Sequence, residues 1–194
     1  MRLFAAAILL SAFGATSAMA QESSDKPFQG ATVTAIAGID ASSAAGQNET
    51  GFLYGGQLGY DWQRGKTVFG VEAEIDGATS KKCYDDTFVA GDRSCGKAGR
   101  DLYVGGRIGR VVGDTTLLYV KAGYANARST VTYEDGGTGA GNLSESVNRD
   151  GVRGGVGVEK AIGRNLLVKA EYRYSNYADG YSRNQGVAGI GFRF

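Results

Sequence analysis

The chain has 194 residues, and its 21 basic and 20 acidic side chains give a formal net charge of +1. This length suits one domain, and a charge balance near zero argues against a nucleic-acid partner. The 32 glycines, 11 tyrosines and single proline favour strands and turns. The chain has no histidine, which excludes histidine-ligated metal sites and axial histidine–haem binding and disfavours hydrolysis by a catalytic triad. We expect no cofactor.

The first predicted element is a secretory signal peptide at residues 1–20. Met1 and Arg2 precede an apolar run, and Ala18-x-Ala20 fits a cleavage site before Gln21. The run is too short to cross a bilayer as a helix, although a retained N-terminal helix is the alternative. Cleavage removes Arg2 and leaves 20 basic and 20 acidic residues.

Eight segments in which apolar residues alternate with other residues follow the signal peptide. They lie near residues 33–39, 52–62, 69–76, 101–108, 118–124, 152–159, 166–175 and 187–194. Short links are expected near 63–66, 112–114 and 163–165, and longer ones near 41–50, 77–99, 135–148 and 177–184. Period-2 alternation predicts strands of about nine to eleven residues, and alternating short and long links predict an antiparallel up-and-down meander.

The positions of the aromatic residues separate a soluble barrel from a membrane barrel. A membrane barrel carries its apolar band outside, bounded by aromatic girdles, and keeps polar groups inside. Tyr60 and Trp62 end the second segment beside a short turn, while Tyr172 and Tyr174 lie near a long link. The sequence therefore predicts an all-β, eight-stranded antiparallel up-and-down transmembrane β-barrel.

The last segment ends in GIGFRF, with aromatic residues at the terminus and two places before it. In a membrane barrel, Ile190, Phe192 and Phe194 would face lipid on the closing strand. This ending resembles the signal by which the outer-membrane insertion machinery recognises its barrel clients. We therefore expect that machinery to be a partner.

One hairpin carries a resemblance to a known family. The stretch Gly55–Gln63 followed by Phe69–Ile75 resembles the second hairpin of the small porin-family, or immunogenic, outer-membrane proteins of Gram-negative bacteria. The resemblance implies a short periplasmic segment at 21–29, a barrel at 30–194 surrounded by outer-membrane lipid, and a surface-exposed, envelope-stabilising role. The first strand, from Gly30, has fewer aromatic residues than is usual in that family, so its register stays open.

Charged residues recur on the inward faces of the predicted strands. They are Glu72, Glu74, Asp76, Arg107, Lys121, Arg153, Glu159, Lys169, Glu171 and Arg173. Paired carboxylates can perform acid–base catalysis, but buried charges of opposite sign are more simply explained as ion pairs. Eight strands enclose an interior that side chains nearly fill. We therefore predict a structural lumen network and no enzymatic activity.

Two cysteines, Cys83 and Cys95, lie in the second long link. Export to an oxidising compartment favours a disulfide between them, with free thiols as the alternative. In the chain-entropy model a loop of this size gains about 3 kcal/mol from the cross-link. We expect a stapled surface loop without redox catalysis.

Three functions remain open on these observations. The first is a non-enzymatic barrel that supports envelope integrity and displays surface loops. The second is an adhesin that binds a host surface, or a lipopolysaccharide-binding protein, acting through those loops. The third is a narrow solute channel, which requires the charged lumen to open.

Overall fold

The computed structural model describes residues 26–44, 47–79, 81–85, 92–134 and 143–194. The predicted signal peptide and residues 21–25 lie outside the described residues. No helix in the described ranges is long and apolar enough to cross a membrane.

Nine strands make up almost all of the described chain. They are β1 Gly30–Ala44, β2 Gln47–Arg64, β3 Thr67–Ala78, β4 Lys81–Asp85, β5 Arg93–Val112, β6 Thr116–Glu134, β7 Leu143–Ile162, β8 Leu166–Tyr177 and β9 Ser182–Arg193. A 3-10 helix at Ala178–Gly180 precedes β9. Every pairing is antiparallel, and the β1–β9 and β3–β5 pairings close eight strands into a ring. The predicted eight-stranded barrel is thus confirmed, and β4 is an additional strand outside the ring.

All four predicted long links are wrong in extent, because 135–148 includes the start of β7 at Leu143, 177–184 includes the start of β9 at Ser182, and the other two also contain strand. Strand β1 continues to Ala44 and β2 begins at Gln47, so most of the expected 41–50 link is strand. The expected 77–99 link contains β4 and the first part of β5. Beyond the bilayer both faces of a strand can be polar, so hydrophobic alternation stops before hydrogen bonding does. The strands are correspondingly longer than predicted, reaching 20 residues in β5 and β7.

The two faces of the ring differ as the alternation predicts. Outward side chains such as Leu58, Val104 and Ile190 are more than half exposed, whereas inward charged residues such as Glu74 and Arg153 are buried. The apolar surface forms a continuous outer band because neighbouring strands place apolar residues opposite one another, as in the pairing of Ile108 with Val120. Such a band is what a bilayer requires of a barrel.

The three short turns lie at one end of the barrel. Gly65, Gly113 and Gly163 begin these turns with φ between 58° and 67°, a region in which glycine avoids the steric cost of a side chain. At the same end Phe28, just before β1, is fully buried against Val68, Val111, Leu117 and Tyr119. The described part of the predicted periplasmic segment therefore closes the base of the barrel.

Three of the ring strands continue above it at the other end. Strand β7 pairs with β8 only from Gly151, so residues 143–150 pair with β6 alone. Strand β5 pairs with β3 only from Arg100, and its earlier part lies between β4 and β6. These segments form a four-stranded projecting sheet, defined as 81–85, 93–99, 128–134 and 143–150.

Candidate functional site

The barrel interior holds a column of buried charges. The described residues that line it include eight carboxylates and seven cations. These are Asp40, Asp61, Glu72, Glu74, Asp76, Asp101, Glu159, Glu171, Arg107, Lys121, Arg153, Lys169, Arg173, Arg183 and Arg193. All ten residues predicted for the lumen network are among them. The signs nearly balance, as buried charges require.

The lower cluster lies above Phe28 and contains two arginines and two carboxylates. Arg107 Nε donates to Asp61 Oδ1 at 2.8 Å, and Arg107 Nη1 donates to Glu159 Oε2 at 3.0 Å. Arg193, on the closing strand, donates from Nη1 to Asp61 Oδ2 at 2.9 Å and from Nη2 to Glu159 Oε1 at 2.5 Å. Because Arg193 Nη1 also donates to the Phe28 carbonyl, the N-terminal segment is fastened to this cluster.

Glu171 is the centre of the middle cluster and accepts hydrogen bonds from four side chains. The donors are Tyr119 OH at 2.5 Å, Lys169 Nζ at 2.7 Å, Arg173 Nε at 2.7 Å and Lys121 Nζ at 3.3 Å. Lys121 Nζ also lies 2.5 Å from Glu72 Oε1. A carboxylate held by several cations is strongly stabilised in its charged form and makes a poor general acid or base.

Arg153 is the centre of the upper cluster. Its guanidinium donates to Ser175 Oγ at 2.8 Å, Glu74 Oε1 at 3.0 Å, Asp76 Oδ2 at 3.5 Å, Asp101 Oδ2 at 2.6 Å and Tyr177 OH at 3.2 Å. Arg183 extends the cluster upward, because its Nη1 donates to Asp101 Oδ2 at 2.5 Å and its Nε donates to Asp40 Oδ1 at 2.9 Å. Arg173 contacts both Glu74 and Glu171 and so joins the upper and middle clusters.

Aromatic rings fill the space between the charged groups. Lys121 Nζ lies 4.7 Å from the centre of the Tyr103 ring, and the Arg153 guanidinium carbon lies 5.3 Å from the same centre. Arg107 stands over Tyr119 at 5.0 Å. Cations over ring faces are attracted by the ring quadrupole, more strongly away from water. The lumen is thus packed as well as charge-paired.

Two tyrosines pack against each other at the end of the lumen opposite the short turns. The rings of Tyr177 and Tyr181 have centres 5.4 Å apart, and the Arg149 guanidinium lies 5.8 Å from the centre of the Tyr181 ring. Burial raises the pKa of the Tyr181 phenol, although the nearby Arg183 opposes that shift. Tyr181 therefore stays neutral around physiological pH and adds no negative charge to this end of the lumen.

Sequence reasoning missed several members of the column. Asp61 and Asp101 fall on inward faces in the alternation, so that pattern could have included them. Asp40 and Arg183 lie beyond the predicted ends of the first and last strands, where the apolar pattern has stopped. Within the described ranges, no three histidine, cysteine, aspartate or glutamate side chains are grouped so that they could hold a metal ion.

Two predicted site features lie outside the lumen: the apolar residues at the C-terminus and the cysteine pair. Ile190, Phe192 and Phe194 point outward from the closing strand and are 54–57% exposed. Their role as an insertion signal stays a prediction. Cys83 of β4 and Cys95 of β5 are directly opposite each other and form a disulfide.

We expect the disulfide to protect the projecting sheet from proteolysis and to have no effect on the folding of the ring. Strand β4 pairs with β5 alone, so reduction removes the covalent tie that keeps this hairpin closed. In vesicles, we expect reduction to raise the rate of tryptic cleavage between Lys81 and Arg93 by about tenfold or more. The Cys83→Ser variant should be cut equally fast with and without reductant. Loss of the folded barrel on reduction would contradict this assignment.

The family model and the sequence relatives that this chain matches are all described as outer-membrane proteins. Residues 5–194 match the family model described as "Outer membrane protein beta-barrel domain". The chain is 29% identical over 163 residues to a "22 kDa outer membrane protein" of Rhizobium leguminosarum bv. viciae, covering 77% of this chain and 70% of that protein. It is 27% identical over 140 residues to the "25 kDa outer-membrane immunogenic protein" of Brucella ovis, covering 72% of this chain and 62% of that protein.

Solved structures share the fold at low sequence identity. The attachment invasion locus protein Ail of Yersinia pestis superposes with a TM-score of 0.58 at 16% identity, covering 86% of this chain and 99% of that one. Neisserial surface protein A superposes with a TM-score of 0.57 at 16% identity, covering 86% of this chain and 98% of that one.

Proposed function

Because this chain belongs to the outer membrane protein β-barrel domain family, we propose that it is a closed, non-enzymatic barrel that supports envelope integrity and displays its projecting sheet at the cell surface. The outer-membrane location and the resemblance to small Gram-negative barrels, both expected from the sequence, are confirmed by the names of the two relatives. The envelope role, the lack of catalysis and recognition of Ile190, Phe192 and Phe194 by the insertion machinery belong to the proposal.

The continuity of the charge column is the observation that carries this proposal. Asp61, Glu171 and Asp101 each bind two or more cations, so ion pairs between strands occur at the lower, middle and upper levels of the lumen. Some of these ties join opposite sides of the ring, because Arg173 of β8 contacts Glu74 of β3 and Arg183 of β9 contacts Asp101 of β5. A solute could pass only if several buried ion pairs broke together, which is costly in a medium of low dielectric.

Single-channel recording in a planar bilayer tests whether the barrel is closed. We expect the mature parent protein to show no discrete openings. Glu72→Ala removes a carboxylate that pairs with Lys121, and Arg107→Ala removes the cation that pairs with Asp61 and Glu159. Both variants should produce leakage, because they leave charge unpaired and space unfilled.

The control for the recording is Arg128→Ala, because Arg128 is exposed on β6 and lies outside the lumen. It should be as silent as the parent. Steady, uniform openings of the parent protein would contradict the closed barrel and favour the narrow solute channel.

A second candidate, adhesion to a host surface, is favoured by the projecting sheet. Among the strands of the described ranges, residues 143–150 pair with β6 alone, and Leu143 and Val147 are exposed on this edge. Exposed strand edges can accept a further strand from a partner. Ail, which shares the fold, has been crystallised with the heparin analogue sucrose octasulfate. If Val147→Pro abolishes binding to host cells while the barrel stays folded, the result supports adhesion through this edge. Unchanged binding would argue against this edge.

A further inference from the structure

A groove of about 800 Å³ crosses the lipid-facing wall of the barrel over strands β5 to β8. Its apolar wall includes Leu118, Val120, Val156 and Val158, all of which point outward and are substantially exposed. Arg110 and Thr67 lie at its border. The groove therefore joins a long apolar surface to a cation and a hydroxyl.

The polar border of the groove lies toward the short turns. Thr67 of β3 is paired with Arg64 of β2 on one side and with Arg110 of β5 on the other. All three residues lie on the outward face. Each is two positions nearer to the short turns than Trp62, Phe69 and Ile108, which lie on the same three strands. Aromatic side chains such as Trp62 mark the membrane–water boundary. The row of two arginines and one threonine thus lies at the depth of the lipid headgroups in the periplasmic leaflet.

The surroundings of this row are strongly basic. The turns and strand ends at 63–68, 110–116 and 160–166 carry five exposed basic residues and a single acidic one, Asp114. The basic residues are Arg64, Lys66, Arg110, Lys160 and Arg164. None of them forms an ion pair with a residue in the described part of the chain. Their positive charge is therefore available to an anion outside the protein.

We propose that this groove binds one anionic phospholipid of the periplasmic leaflet. The phosphate contacts Arg110 and accepts a hydrogen bond from the Thr67 hydroxyl, with Arg64 on its other side. An acyl chain lies along Leu118, Val120 and Val158. Strand tilt makes the cross-strand row from Arg110 through Leu118 to Val158 oblique to the membrane plane, which lets a chain follow it into the hydrocarbon layer.

The surplus of cations explains why an anionic headgroup is preferred over a zwitterionic one. A zwitterionic lipid offers the same phosphate but also an ammonium group, which the neighbouring basic residues repel. Near an anionic membrane surface each lysine or arginine contributes about 1 kcal/mol, which corresponds to about a fivefold change in binding.

Native mass spectrometry of the mature protein released from bilayers of equal phosphatidylglycerol and phosphatidylethanolamine content tests the site. The parent should retain phosphatidylglycerol in excess over phosphatidylethanolamine. Arg110→Gln should lower the phosphatidylglycerol adduct about fivefold, whereas Arg110→Lys should retain most of it. Ala170→Phe, which places a ring in the groove, should reduce adducts of both lipids.

The matched control is Arg128→Gln, because Arg128 is also an exposed arginine but lies near the opposite end of the barrel. Its lipid adducts should equal those of the parent. The proposal is overturned if the parent retains both lipids equally, or if folded Arg110→Gln retains as much phosphatidylglycerol as the parent. Neither result would bear on whether the lumen is closed, because Arg110 faces outward.

Discussion

Replacing Arg153 with alanine should lower the free energy of unfolding by about 3–5 kcal/mol, because the substitution leaves buried charge unpaired. Arg153 has 1% exposure and donates to Glu74, Asp76 and Asp101, three carboxylates that lie on two other strands. Without the guanidinium, the cations that remain near these carboxylates in the described part of the chain are Arg173, Arg183 and Lys121. Urea unfolding of the protein inserted in lipid vesicles measures the change.

Two further variants identify the cause of that loss. Arg128→Ala removes an exposed arginine from a neighbouring strand and should change the free energy of unfolding by less than about 0.5 kcal/mol. Adding Asp76→Asn to Arg153→Ala removes the carboxylate whose remaining cation, Arg173, lies 4.0 Å away, and should recover part of the stability. If the single variant unfolds like the parent, the charge column does not stabilise the barrel.

Gly123→Val should prevent the ring from closing in its native register. A Cβ atom at Gly123 would lie 2.2 Å from the Val104 carbonyl oxygen and 2.5 Å from the Gly105 Cα, and neither backbone atom can rotate away. It would also lie 2.9 Å from Cε2 of Tyr103, the ring beneath Lys121 and Arg153. We expect a loss of about 3 kcal/mol or more, measured as the fraction of protein that shows the gel shift of a folded barrel.

Gly154→Val is the matched control for this substitution. Gly154 lies on the adjoining strand β7, but the nearest atom to a Cβ there is the Lys121 carbonyl oxygen at 4.0 Å. The added side chain would point to lipid, so folding should proceed to the same extent as in the parent. Equal folding of both valine variants would contradict the close approach of β5 and β6 at Gly123.

Several features of the molecule follow directly from local sequence pattern. The alternation of Phe69, Val71 and Ile75 with Glu72 and Glu74 determines which side chains meet lipid and which are buried, because a strand places successive residues on opposite faces. The same reasoning correctly located the three short turns. The pattern ended with the bilayer, however, so the upper parts of β5, β6 and β7 and the additional strand β4 did not appear in it.

Alternation within a strand was enough to predict the barrel class and the inward position of each predicted lumen charge, since both are local properties of a strand. The partners of those charges, in contrast, depend on how distant strands meet. Arg153 meets Glu74 across 79 residues of chain, and Arg193 meets Asp61 across 132. These contacts depend on the stagger with which β1 pairs with β9 and β3 with β5 when the ring closes, and no local pattern encodes that long-range register.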